Sequence, residues 1–166
     1  MVKVMVPSTV YESGAWDFEV ESSAGAIHLN KIKAQDVEIN VSAGTVSWTE
    51  LHSGELSIQM SAGAVNGAGT VVSGETDIEL KAGNVDMSGI LGVVTDIEMA
   101  AGKVSIVLED AYTDYNYNIS CAGGSVKVGE QVAEGLAKSM EIDNKAAKEM
   151  DIECSMGAVN ITFANE

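Results

Sequence analysis

The sequence contains no arginine. All nine basic residues are lysine, against twenty-five acidic ones, for a formal net charge of −16. Phosphate clamps favour guanidinium forks and nucleic acids demand a positive footprint, so the composition argues against DNA, RNA and anionic membrane as direct partners. No run of eighteen apolar residues occurs, so no stretch reads as a membrane-spanning helix. The opening residues MVKVMVPSTVYESG alternate like a strand and lack the continuous apolar stretch of a signal peptide. Only 5% of the chain is aromatic, and there is one proline and two cysteines. A dense disulfide framework is therefore excluded. What remains is 46% hydrophobic, drawn mainly from small and β-branched residues with eight methionines, and 17 glycines. That is too apolar for disorder, and 17.3 kDa suits one domain.

The glycines are periodic. An Ala-Gly-x-Val-like phrase recurs seven times, centred on Gly25, Gly44, Gly63, Gly83, Gly102, Gly124 and Gly157. The first five copies are spaced by 19 or 20 residues, the next step is 22 and the last 33. A unit this short cannot hold a helical hairpin, so the reading is a β-solenoid.

A coil wrapped round a core must show the core the same face in every turn. Five residues before each glycine stand Val20, Ile39, Ile58, Ile78, Ile97, Ile119 and Ile152. Three before come Ser22, Val41, Met60, Leu80, Met99, Cys121 and Cys154; the columns two and four after, from Ile27 to Val159 and from Leu29 to Ile161, are also largely apolar. The intervening positions are polar, as alternation in a half-wet strand requires. Each turn is thus predicted as two short strands meeting at the glycine, with a second corner at Gly54, Gly74, Gly89 and Gly92.

The fold class is therefore all-β: a single β-solenoid domain over 1–166, with about seven turns of roughly 19–20 residues. Within it, 1–15 reads as an N-terminal cap or lead strand containing Pro7, 16–128 as the repeat turns, and 150–166 as the final turn. The interruption at 129–149 reads as a capping excursion, hairpin or short helix plus strand, with a turn at Asp143-Asn144.

The phrases SAGAIHLN, SAGTVSWT, SAGAVNGA and KAGNVDMS, with the ending KEMDIECSMGAVNITF, resemble the bacterial adhesin-type repeat domain, the domain family of unknown function 4097. The resemblance covers almost the whole chain. It implies an extracytoplasmic position at the cell surface or envelope, held by an anchoring segment not in this chain, with a cytoplasmic location as the alternative. No catalytic residues come with the family, so none is transferred. The chain departs from the family's pattern in favouring Ala or Met just before the repeat glycine.

Chemistry-bearing residues are few, and the expectation is of no catalytic, cofactor-binding or resident metal site. Asp77 and Asp96 share one outward column, and Glu79 and Glu98 the next. Carboxylates one rung apart repel, and weak calcium binding there would relieve the repulsion. Against this, Ser57 and Gln59 dilute one side and Asn118 and Ser120 the other, and outward acids ordinarily serve solubility. Cys121 and Cys154 share an inward column and become neighbours if the excursion loops out. They read as two buried thiols, with a disulfide as the alternative in an oxidising compartment. His28 and His52 lack ligand partners at metal spacing and read as surface residues. Trp48, Tyr115 and Tyr117 read as core, and no nucleophile elbow, P-loop or zinc-helix phrase is present.

Three functions follow from this. The first is a non-catalytic envelope scaffold or binding domain that presents flat polar acidic faces to a protein or glycan. The alternatives are a polysaccharide-active β-helix enzyme, disfavoured by short turns that build no groove walls, and a purely structural spacer.

Overall fold

The computed structural model describes residues 12–165, with the backbone alone for 133–138. The part of the predicted N-terminal cap that includes Pro7 lies outside the described residues. Nine strands join one sheet: β1 (Phe18–Ser22), β2 (Gly25–Lys33), β3 (Asp36–Ser53), β4 (Glu55–Val72), β5 (Glu75–Ile90), β6 (Val94–Leu108), β7 (Tyr115–Val128), β8 (Gln131–Ile142) and β9 (Lys148–Phe163). Among the described residues, all strand pairing apart from the β7–β8 pair is parallel. The fold is all-β and solenoid-like.

The predicted columns stack in register. Ile39, Ile58, Ile78, Ile97, Ile152 and Ile119 form one continuous buried line, and Val46, Val65, Val85, Val104, Val159 and Val126 another. Trp48 is buried, with its ring over Gly67 on the next rung and its indole N–H donating to Thr70 Oγ1 at 2.9 Å. Burial of each such aliphatic side chain is worth about 1.5 to 3 kcal/mol, so these columns are the main source of cohesion. The first rung, β1 with β2, is only half-buried; Trp16 packs edge-on against Phe18 at 6.0 Å.

The glycine corners are tighter than alternation alone implies. Repeat glycines have φ between +132° and +148°, and a Cβ at Gly63 would stand 1.8 Å from the Gly44 carbonyl oxygen. Pairing runs straight through the corner, so from β3 onward each rung is one long bent strand rather than two short ones. Between Gly67 and Thr70, β4 has one residue more than β5, and the pairing shifts there from a twenty- to a nineteen-residue offset as a bulge. Gly54, Gly74 and Gly92 do stack at the second corner, but Gly89 pairs with Thr70 inside β5 and belongs elsewhere.

The order of the last rungs departs from expectation. In space the strands run β1-β3-β4-β5-β6-β9-β7-β8, with β2 also on β3. The final repeat copy is therefore not the final rung: β9 is slotted between β6 and β7. The excursion is a hairpin, because β8 folds back antiparallel on β7. Its exit turn is set by Asp143, whose carboxylate accepts from the Lys145 N–H at 2.8 Å, and by Asn144, whose side-chain amide donates to the Tyr112 and Tyr115 carbonyls.

Non-repeat residues hold this arrangement. Lys148, at the start of β9, pairs with Asp110 at 2.6 Å and lies over the Tyr115 ring, 4.9 Å from its centroid. The fully buried Tyr115 hydroxyl stands 2.7 Å from the Leu91 carbonyl and 2.8 Å from Asp110 Oδ2. Burial and the Asp110 carboxylate both push its phenol pKa well up, so it remains a protonated donor. One cluster thereby ties β9 and β7 to the loops that precede and follow β6.

Candidate ligand-binding groove

Side chains four and two residues before each repeat glycine rise from the same outer face, about 7 Å apart along the strand. Repeated over the rungs they make two parallel walls, with the backbone between them as floor. One wall is long and polar: Glu21, Asn40, Gln59, Glu79, Glu98 and Glu153. The other is kept low by Ser23, Ser42, Ser61, Ala100 and Ser155, with Lys81 as its one long member. The result is a groove that crosses the strands and follows the rod axis. Both stretches are open to solvent: the first, from Glu21 to Lys81, has a volume of about 530 Å³, the second, from Glu79 to Ser155, about 360 Å³, and Glu79 and Lys81 line both. The predicted polar face thus carries a shallow, open groove. The signal was in the sequence as a contrast of long and small residues in two outward columns.

The two stretches differ in charge. The first is mostly amides and hydroxyls, and Asn40 spends one amide proton on Glu38 at 2.8 Å. The second is acidic, and more so than the sequence suggests. Because β9 is inserted, Asp96 neighbours Asp151 and Glu98 neighbours Glu153. Asn118 and Ser120, expected to dilute the acids, stand one rung further on. The ladder is therefore two columns wide and three rungs deep: Asp77, Asp96 and Asp151 beside Glu79, Glu98 and Glu153. Partial burial, and then the surrounding carboxylates, raise the Asp77 and Asp96 pKa above the usual 3.8. Spread along the rod, these acids do not converge: among the described residues no three His, Cys, Asp or Glu come together to hold a metal ion.

The remaining candidates fall as follows. His28 is exposed and its Nδ1 shares a hydrogen bond with Ser47 Oγ, while His52 is exposed at its corner. Tyr115 and Tyr117 are core, with Tyr112 stacked on Tyr117 at 5.6 Å. Cys121 and Cys154 are register partners on β7 and β9, both buried and both free thiols. The Lys148–Asp110–Tyr115 cluster was not foreseen, since nothing in the repeat pattern links those three positions.

The family model described as Toastrack DUF4097 matches residues 12–162. The chain belongs to the Toastrack DUF4097 family. No curated protein and no solved structure matches it. The Toastrack match spans every rung, including the inserted β9, so the groove lies wholly within the family domain.

Proposed function

We propose that this Toastrack domain is a non-catalytic binding module of adhesin type at the bacterial cell surface or envelope, and that it takes an extended glycan along the groove. The observation that carries the reading is the open groove, two adjoining stretches that meet at Glu79 and Lys81 and are lined by carboxylates, amides and hydroxyls. A rung advances about 4.8 Å, close to the advance of one sugar unit in an extended polysaccharide; an extended peptide presents same-side residues about 6.6 Å apart and falls out of step. A protein partner would also want aromatic or Arg anchors in a desolvated pocket, and neither lines the groove. The non-catalytic part rests on equivalence. Glu79, Glu98 and Glu153 occupy the same position on successive rungs, whereas a glycosidase needs two carboxyls in contrasting environments. The envelope location rests on the family resemblance.

The test is calorimetric titration with chito-oligosaccharides, chitosan and polyuronates, alongside a reducing-end assay for turnover. Neutral or amine-bearing chains are expected to bind and polyuronates to be repelled, with no turnover of any. Gln59→Ala should weaken binding about tenfold, the loss of one good hydrogen bond to a polar ligand, while Asp86→Ala, outside the lining, should not. Indifference to Gln59→Ala, or cleavage of any chain, would overturn the reading.

A further inference from the structure

Cys121 and Cys154 are thirty-three residues apart in sequence yet directly opposite one another, on β7 and the inserted β9. Rung neighbours lie about 4.8 Å apart at Cα, inside the disulfide range of about 4.4 to 6.8 Å. The two thiols are within hydrogen-bonding reach, and Cys121 also approaches the Gly123 and Gly157 carbonyls at 3.6 and 3.7 Å. Exposure is 1% for Cys121 and 3% for Cys154. Next in the same column beyond Cys154 is Met99, also buried.

We infer that Cys121 and Cys154 are a disulfide-forming pair that latches β9 into its place beside β7. The chemistry is thiol–disulfide exchange with a small-molecule disulfide such as oxidised glutathione. One cysteine thiolate attacks it and expels a thiolate, leaving a mixed disulfide. The second cysteine thiolate then attacks the protein sulfur and expels the other. In sum two cysteine thiols are oxidised, one disulfide is reduced to two thiols, and the two protons end on the released thiols.

Timing follows from burial. The attacking species is the thiolate, and in the folded protein burial and the neighbouring thiol push the Cys154 pKa up to about 12. Folded, reduced protein therefore oxidises slowly. While β9 is still outside its slot both sulfurs are in water and reactive, and insertion brings them together. The latch closes as the strand seats and is then buried against reduction.

The experiment refolds reduced, denatured protein in a glutathione redox buffer, blocks remaining thiols with N-ethylmaleimide in denaturant and measures intact mass. The expected product carries no maleimide, is two hydrogens lighter, yields a Cys121–Cys154 cross-linked peptide and melts about 10 °C above the reduced form. Folded, reduced protein in the same buffer should oxidise at least tenfold more slowly. Cys121→Ala and Cys154→Ala should each abolish the glutathione-dependent shift. Two maleimides on the refolded wild type, a bond between chains only, a lowered melting temperature on bonding, or equal rates for folded and refolding protein would each overturn the inference, and none depends on a variant folding.

Discussion

From β1 to β6 each rung lies on its sequence neighbour, whereas beyond β6 the chain leaves a gap, builds β7 and the β8 hairpin, and returns to fill the gap with β9. Both regions use the same columns of isoleucine, valine and glycine, and those columns are interchangeable. Within the isoleucine and valine columns, β7 and β9 present the same residues to β6, so those columns do not choose between them. Register is thus a property of the repeat, but order is not. Electrostatics opposes the observed order, since keeping β7 next to β6 would have set Asn118 and Ser120 between the acids. What favours it lies outside the repeat: the Lys148–Asp110–Tyr115 cluster and the side chain of Asn116, which accepts from the Asn144 and Ala146 N–H groups at 3.0 Å each.

The largest effects should come where both regions share the same constraint. Gly102→Ala would place a Cβ 1.6 Å from the Gly83 carbonyl oxygen, whereas Gly25, on the first rung, has nothing within 4 Å. We expect Gly102→Ala to cost at least about 4 kcal/mol and to abolish cooperative unfolding. Gly25→Ala should cost only the strain of its backbone angle, about 1 to 2 kcal/mol. Urea melts of the pair check this; equal losses would mean that rung contact is not what demands glycine.

Next come the ion pairs that distinguish the regions. Lys148 and Asp110 are 25% and 19% exposed, against 62% and 60% for Lys31 and Glu50 near the opposite end. Lys148→Met strands a shielded carboxylate and should lower stability by about 2 kcal/mol, whereas Lys31→Met should change it by less than about 0.5 kcal/mol. Tyr115→Phe removes the hydroxyl but leaves the ring, and should cost about 1 to 2 kcal/mol. Hydrogen exchange should place both C-terminal losses in β9 and β7; uniform loss along the rod would contradict a local lock.

The smallest effect is electrostatic. Asp77 and Asp96 have folded-state pKa values above their unfolded 3.8. Between those values the native state holds more protons than the unfolded one, so their contribution to stability falls as pH rises through the raised pKa and recovers on acidification. Asp96→Asn should therefore stabilise at pH 7, by less than about 1 kcal/mol, and the gain should shrink toward pH 4. A gain that is independent of pH would assign the effect to something other than carboxylate repulsion.

Much of the candidate site could be read from the chain, and the remainder had physical reasons for staying hidden. Alternation placed Gln59, Glu79 and Glu98 outward, and periodicity placed them in line. The groove between them depends on how a bent strand leans its side chains, which alternation does not encode. The third acidic rung depends on β9 lying beside β6, and no column distinguishes that from lying beyond β7.

The repeat by itself determined an all-β coil, its inward columns, its repeat-glycine corners and the shared column of Cys121 and Cys154, because these follow from side-chain period and from the steric demand of one backbone conformation. Tertiary structure alone decided the order of the rungs, the depth of the acidic ladder and the shape of the open groove. The isoleucine and valine columns read alike on β7 and β9, so they do not say which of the two lies on β6; the contacts particular to the observed order are made by a few polar side chains, Lys148, Asp110, Tyr115, Asn116 and Asn144, whose partners lie outside the repeat pattern.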